Sequence, residues 1–385
     1  MERHALANQP NGPASGENLL ALIRRLGFVQ VDSINTVERA HHMILWSRRQ
    51  TYRPEALRRM LESDRTLFEH WTHDASIIPT EFLPHWRLRF VRDAENIRAR
   101  YRNWRGAEFE EKLDGVIRHI TEHGPVGTRD VGLGERRSKG GWWEWHPSKT
   151  ALEYLWRTGR LAVTRRKGFA KIYDLAERVY PACVEYSEEC TINWACGEAI
   201  DRLGFATSGE IAAFWGKVSP QEVKVWARQA LRRSEIEEVE VTGVDGSFRR
   251  SYARPGLDAA AAEVPDLPNR IRILSPFDPA LRDRNRAHRL FGFRYRIEVF
   301  VPEAQRQYGY YVFPVMECDR LIGRIDVRAC RADDSLHVTA FWPENDVRMG
   351  KGRLTRLEAE LSRLARFVDC RRVSFENFWL RSENF

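Results

Sequence analysis

The stretch Gln30-Val31-Asp32-Ser33-Ile34-Asn35 sets an amide and a carboxylate two positions apart. In extended backbone, residues i and i+2 point to one side. Gln30 and Asp32 are therefore predicted to face the same way, with Val31 turned into the core. A carboxylate so placed can orient and deprotonate a water, and it can balance positive charge developing at a sugar carbon. The amide can fix that water without adding charge. The pair suits hydrolysis through an oxocarbenium-like transition state, as in glycoside cleavage. Local sequence also supports a structural reading. Asp32 or Ser33 stands before a helix, where either is a good N-cap, and Gln30 is then an exposed strand residue.

Several elements must position this pair. Leu19, Leu20, Leu22, Ile23 and Leu26 have helical spacing, and Gly27 ends that helix before the extended Phe28 to Asp32. A second helix is predicted from about Ser33 to Trp46, and Pro54 opens a third through Leu61. Charged helices follow near Glu81 to Arg102 and Glu108 to His123. A helix from Pro147 to Trp156 then leads into two alternating strands, Arg160 to Arg165 and Ala170 to Asp174, joined by Arg166-Lys167-Gly168-Phe169. The order recurs. Helices are expected over Thr191 to Leu203, Thr207 to Trp215 (introduced by a Thr-Ser-x-Glu cap) and Ser219 to Arg233, then strands over Glu235 to Val241 and Ser247 to Ala253.

Past the linker Ala259 to Pro268 the pattern becomes β-rich. Strands are expected at Arg270 to Leu274, Tyr295 to Val301, Tyr308 to Val315, Arg320 to Ala329, Ser335 to Phe341 and Arg371 to Phe375, with a helix from about Lys351 to Phe367. The predicted fold class is α+β: tandem winged helix-turn-helix units followed by a β-rich, barrel-like C-terminal domain. The expected domains are 1–105 with the Gln-x-Asp stretch, 106–180 with a basic wing, 181–258, and 269–385.

A chain of 385 residues is long enough for two or three cores. Lys and Arg outnumber Asp and Glu by 62 to 54, a net charge of +8, and the excess is local in Arg48-Arg49, Arg165-Arg166-Lys167 and Arg249-Arg250. Such clusters favour a polyanion, because bound cations displace the counterions around phosphate. Arg165, Arg166 and Lys167 at a wing tip are the foremost candidate phosphate contacts, and Arg48 and Arg49 would hold the strand near the reaction centre. Trp142 and Trp143, with Lys149 nearby, either stack on bases and wedge into a groove or fill the core. His41 and His42 suit packing or phosphate contact, and His73-Asp74 either supports the site or closes a helix end.

The six cysteines form no CxxC pair, and no metal-ligand cluster, Gly-rich phosphate loop or Ser/His/Asp arrangement stands out. A cofactor-free, metal-free reaction is expected. No N-terminal leader and no apolar run near the ~20 residues of a membrane span are visible. The expectation is a soluble, cytoplasmic, nucleoid-associated monomer without membrane contact.

The Gln30 to Asn35 stretch resembles the Gln-x-Asp-(Ser/Thr)-Ile-Asn signature of the YcaQ/AlkX branch of the AlkZ-type DNA glycosylases. The likeness extends through His70-Trp71-Thr72-His73-Asp74-Ala75, Gly141-Trp142-Trp143-Glu144-Trp145 with Lys149, and Tyr173-Asp174-Leu175. It continues in Ser275-Pro276-Phe277-Asp278-Pro279, Asp283-Arg284, Tyr295 to Glu298, Arg306 to Tyr310 and Gly323 to Asp326. These blocks run in order over most of the chain. Arg3 to Ala7 correspond to a point inside the family's first helix, so the expectation is either a misassigned start or a trimmed first winged helix.

The resemblance implies a stack of tandem winged helices with a barrel-like C-terminal domain. It implies monofunctional removal of N7-alkylated purines from duplex DNA and unhooking of interstrand crosslinks. Asp32 would then be general base and electrostatic stabiliser, and Gln30 the water-orienting group. N7 alkylation leaves the purine cationic, so the base departs neutral without a strong general acid. Extensive base flipping is then not required. No Lys beside Gln30 and Asp32 offers a Schiff base, so lyase activity is not expected. A non-catalytic winged-helix transcriptional regulator shares the basic wings but has no use for the Gln30/Asp32 pair. A nuclease would need an acidic metal cluster.

Overall fold

The computed structural model describes residues 1–9, 11–135, 146–182 and 184–381. The chain begins with α1 (Gly16–Leu26), β1 (Val29–Gln30), α2 (Ala40–Trp46), α3 (Pro54–Glu62), β2 (Leu67–Trp71) and β3 (Ala75–Pro79). Next come α4 (Leu83–Arg105), α5 (Leu113–His123), β4 (Val126–Gly127), α6 (Pro147–Arg157), β5 (Leu161–Lys167), β6 (Ala170–Leu175) and α7 (Ala176–Val179). A similar order returns in α8 (Glu188–Leu203), β7 (Phe205–Ala206), α9 (Ser208–Trp215), α10 (Pro220–Arg232), β8 (Glu237–Thr242) and β9 (Phe248–Ala253). After α11 (Leu257–Ala262) and β10 (Ile271–Ile273) come α12 (Arg284–Phe291), β11 (Phe313–Glu317), β12 (Arg320–Cys330), β13 (Ser335–Pro343), α13 (Lys351–Phe367) and β14 (Arg372–Phe375).

The helix starts follow local chemistry. Thr207 and Glu210 exchange reciprocal bonds, Thr207 N–H to Glu210 Oε2 at 2.8 Å and Glu210 N–H to Thr207 Oγ1 at 3.2 Å, which is the capping box expected at α9. Ser219 and Glu222 do the same at the head of α10. Three expectations fail, among them the strand predicted from Tyr308, which begins only at Phe313. The helix predicted from Ser33 begins only at Ala40, and residues 295–301 form no strand.

Contacts divide the chain into two compact units. The first comprises Met1–Ala56, Glu198–Ile211 and Ala227–Phe385. Its main sheet has the order β10-β11-β12-β13-β14, antiparallel except for the parallel β13–β14 pair. Register shifts at Val315/Met316 and Asp326/Val327 bend it into a curled half-barrel, since bulges sharpen local twist. α13 packs on β10, β13 and β14, with Leu357, Leu361 and Leu364 buried. From α2, Trp46 stacks on Phe367 at 5.3 Å.

The second unit comprises Leu57–Gly197 and Ala212–Trp226. Trp156 of α6 is wholly buried at its centre, among Val116, Ile120, Leu152, Leu161, Val163 and Tyr173. Its indole N–H donates to the Glu69 carbonyl (3.2 Å), and its own carbonyl lies 3.0 Å from His70 Nε2. The sheet order is β4-β6-β5, and the β5–β6 hairpin turns at Gly168 and Phe169, both at positive φ.

Candidate active site

Gly27, at φ +86°, ends α1 and donates its N–H to the Ile23 and Arg24 carbonyls, which turns the chain into β1. Phe28, Val29, Gln30 and Val31 are all buried, and Asp32 is the first residue of the run to reach solvent in part. Val31 faces the core as its position predicts. Gln30, at 4% exposure, does so as well, so its amide is not on an open edge. Buried amide groups of this kind are held by internal partners.

Asp32 Oδ1 accepts the Ile34 N–H at 2.8 Å, an Asx turn two residues long. The carboxylate therefore closes a turn and caps no helix. The N-cap of α2 is Arg39. The connecting loop is fastened to its own unit. Ala329 N–H donates to the Thr36 carbonyl (2.8 Å), and Arg331 donates to the Val37 carbonyl (3.0 Å). On α2, His42 Nδ1 lies 2.7 Å from the Tyr52 hydroxyl. Burial, with Arg39 nearby, brings the His42 pKa down to about 3, so this imidazole is neutral at physiological pH. His41 is buried in the same helix, its ring 4.1 Å from that of His42.

Behind this platform stands the turn Ser275 to Pro279. Arg48 binds Asp278 bidentately (2.7 and 2.9 Å) and also donates to the carbonyls of His4 (2.8 Å) and Ile44 (3.0 Å). Arg272 adds a bond to the Ser47 carbonyl at 2.9 Å. Arg284 donates to the Pro276 carbonyl (2.6 Å) and covers the Tyr295 ring at 4.5 Å. Arg282 lies over Phe28 at 5.2 Å. Phe277 of the turn packs near Tyr311, with ring centres 6.2 Å apart. Burial first, and the Asp32 charge second, push the Tyr311 phenol well above its usual pKa.

The predicted DNA contacts separate into classes. Arg48 is corrected outright: its side chain is 0% exposed and its charge is neutralised by Asp278, so it braces the protein and meets no phosphate. Arg166 is half-buried. It pairs bidentately with the buried Glu69 (2.7 and 2.6 Å), which engages its guanidinium within the protein. Arg165 and Lys167 alternate with it and are exposed. Arg49 is half-buried and donates to the Asn11 carbonyl at 3.2 Å. Lys149 is half-buried in the first turn of α6. Trp142 and Trp143 lie outside the described residues. His73 is exposed, its Nδ1 3.2 Å from Thr72 Oγ1, while Asp74 accepts the Ala75 N–H at 2.8 Å.

Among the described residues, no three His, Cys, Asp or Glu side chains gather as a metal site, and no helix is long and apolar enough to cross a membrane. Tyr311 gave no signal in the sequence, although it directly follows the Arg306 to Tyr310 block. A tyrosine beside a strand reads as core, and Tyr311 is buried, its ring against Phe277 and Phe313.

The family model described as DNA glycosylase AlkZ-like matches residues 23–367. The Streptomyces sahachiroi DNA glycosylase AlkZ has a similar fold, with a TM-score of 0.63 at 16% identity over 99% of this chain and 97% of that one. The Gln30–Asp32 segment and strands β10 to β13 of the curled sheet fall within residues 23–367, and the chain belongs to the AlkZ-like DNA glycosylase family.

Proposed function

We propose that this protein is a monofunctional DNA glycosylase that hydrolyses the N-glycosidic bond of N7-alkylated purines in duplex DNA and unhooks crosslinks built on them. The observation that carries the reading is Asp32. It is the first part-exposed residue after a buried run, and its carboxylate is fixed by the Ile34 N–H rather than consumed by a helix end. Preorganised negative charge in such a position stabilises a sugar carbon that becomes cationic, and it accepts the proton of the attacking water. Gln30, held inside the protein, orients that water from the protein side.

The N7-alkylated base already carries a positive charge. When the C1′–N9 bond breaks, the electron pair returns to the ring and the base leaves neutral, so the protein needs to supply no strong acid. The exposed Arg165 and Lys167 of the β5–β6 hairpin are proposed to lie along the phosphate backbone as the wing of a winged helix, with α8 to β9 as a second unit of that kind. The chain is proposed to act as a monomer.

A duplex containing 7-methylguanine tests this directly. The expected products are free 7-methylguanine and an abasic strand that breaks only on alkali treatment. Failure to release base, or a protein–DNA adduct trapped by borohydride, contradicts the proposed chemistry.

A further inference from the structure

α10 carries its apolar and polar residues on opposite sides. Val223 and Trp226 are buried, and the Trp226 indole N–H donates to Asn193 Oδ1 of α8 at 2.9 Å. The Ser219–Glu222 box sets the first turn. Glu222, the one carboxylate of the helix, also accepts from Arg92 of α4 at 3.2 Å. The same guanidinium donates to the Lys217 carbonyl at 2.8 Å. These contacts fix the rotation of α10 about its axis, and with it the side that faces outward.

The outward side is formed by Gln221, Lys224, Val225 and Arg228, all exposed. Spacings of three and four place them in one stripe along the helix. Val225, 41% exposed, lies in the middle of the stripe. Two cations, an amide and an aliphatic group suit the acceptor edges of bases and the thymine methyl. Glu222 adds little repulsion, because Arg92 offsets its charge. An α-helix also fits the major groove, which is about 12 Å wide.

The earlier repeat is built the other way round. Its α6 exposes no residue and so presents nothing to a groove, while its hairpin bears the exposed Arg165 and Lys167. In the later repeat the hairpin is mixed in sign. Glu238 and Glu240 are exposed on β8, and Arg250 stands opposite Glu240 on β9.

We propose that α10 enters the major groove of the substrate duplex, with Lys224 and Arg228 donating to base-edge acceptors and Val225 lying between them. The inference rests on the reading of duplex DNA as the substrate. The β5–β6 hairpin then supplies phosphate contacts, and α10 supplies groove contacts.

Equilibrium binding to two 7-methylguanine duplexes of one sequence tests this. In the second duplex every cytosine is replaced by glucosylated 5-hydroxymethylcytosine, whose sugar fills the major groove and leaves the phosphates unchanged. Wild type is expected to bind the plain duplex about 10-fold more tightly than the glucosylated one. Lys224→Ala, Arg228→Ala and Val225→Glu should each weaken binding to the plain duplex about 10-fold and narrow the gap between the two. Arg165→Ala should weaken both duplexes alike and keep the gap. Thermal melting of the α10 variants stays as in wild type, since the substituted side chains are exposed. Equal affinity of wild type for the two duplexes, or α10 variants that bind the plain duplex as wild type does, overturns the inference even if 7-methylguanine is released. The expected binding pattern without release of base leaves α10 in the groove and overturns the proposed glycosylase chemistry instead.

Discussion

The guanidinium of Arg48 and the carboxylate of Asp278 meet through two parallel hydrogen bonds of 2.7 and 2.9 Å, with neither side chain reaching solvent. The pair joins the end of α2 to the turn whose Phe277 packs near Tyr311. It braces the turn behind the proposed reaction platform. Breaking a buried pair leaves one charge without compensation, at a cost of about 3–5 kcal/mol. Arg48→Met is expected to lose that much in urea unfolding, while the DNA affinity of the folded fraction keeps its salt dependence. A shallower salt slope at unchanged stability would return Arg48 to the DNA surface.

The proposed wing, the β5–β6 hairpin, predicts an opposite pattern for its exposed residues. Arg165→Ala and Lys167→Ala should each weaken binding to any duplex alike and reduce the salt slope by about 0.9 for each phosphate left without its cation. Stability should stay within about 0.5 kcal/mol of wild type. Titration of binding against salt concentration checks both variants.

Arg166 between them behaves as a structural residue. Burial pushes the Glu69 carboxyl up, and the Arg166 charge and hydrogen bonds more than reverse this, so its pKa ends below the ordinary value. A depressed carboxyl contributes stability that is present above its unfolded pKa of about 4.3 and is lost as pH falls through the lower folded value. In Arg166→Ala, the burial penalty is opposed only by the Lys171 charge, and the Glu69 pKa rises. The variant should be least stable relative to wild type near pH 7, and the gap should narrow below about pH 4. Denaturation at several pH values measures the gap directly, and a gap independent of pH contradicts the pairing.

His42 titrates in the same sense for a different reason. Its folded pKa of about 3 lies below the unfolded value of about 6.5, so between these limits the unfolded chain binds a proton that the native protein refuses. Stability present above about pH 6.5 is lost as pH falls toward about 3, by at most about 1.4 kcal/mol per pH unit. His42→Gln should flatten the stability–pH slope in that window by up to one proton. An unchanged slope contradicts a neutral His42.

What the sequence made legible was mostly local. The Thr207–Glu210 box, Pro54 at the head of α3 and Gly27 at the end of α1 all act within a few residues, and each set its helix boundary as expected. The misses involve distant or competing partners. Ser33 to Arg39 carries a helical spacing, but Thr36 gives its carbonyl to Ala329, so an acceptor that a helix would use is committed elsewhere. Tyr295 to Val301 alternates like a strand, yet its Glu298 binds three backbone N–H groups of 307–309 and organises a loop. The doublet Arg48-Arg49 looks like surface charge until a carboxylate 230 residues away is brought beside it. Gln30 and Asp32 were visible as residues, but the burial of one and partial exposure of the other depend on the folded surroundings.

The proposed chemistry turns on the carboxylate of Asp32. Asp32→Asn keeps the shape and the Ile34 contact while removing the charge and the basicity. With a 7-methylguanine duplex under single-turnover conditions, the variant is predicted to bind within about twofold of wild type and to release base more slowly by about 10²-fold or more. Release at the wild-type rate from a folded, DNA-bound Asp32→Asn protein would contradict a catalytic Asp32.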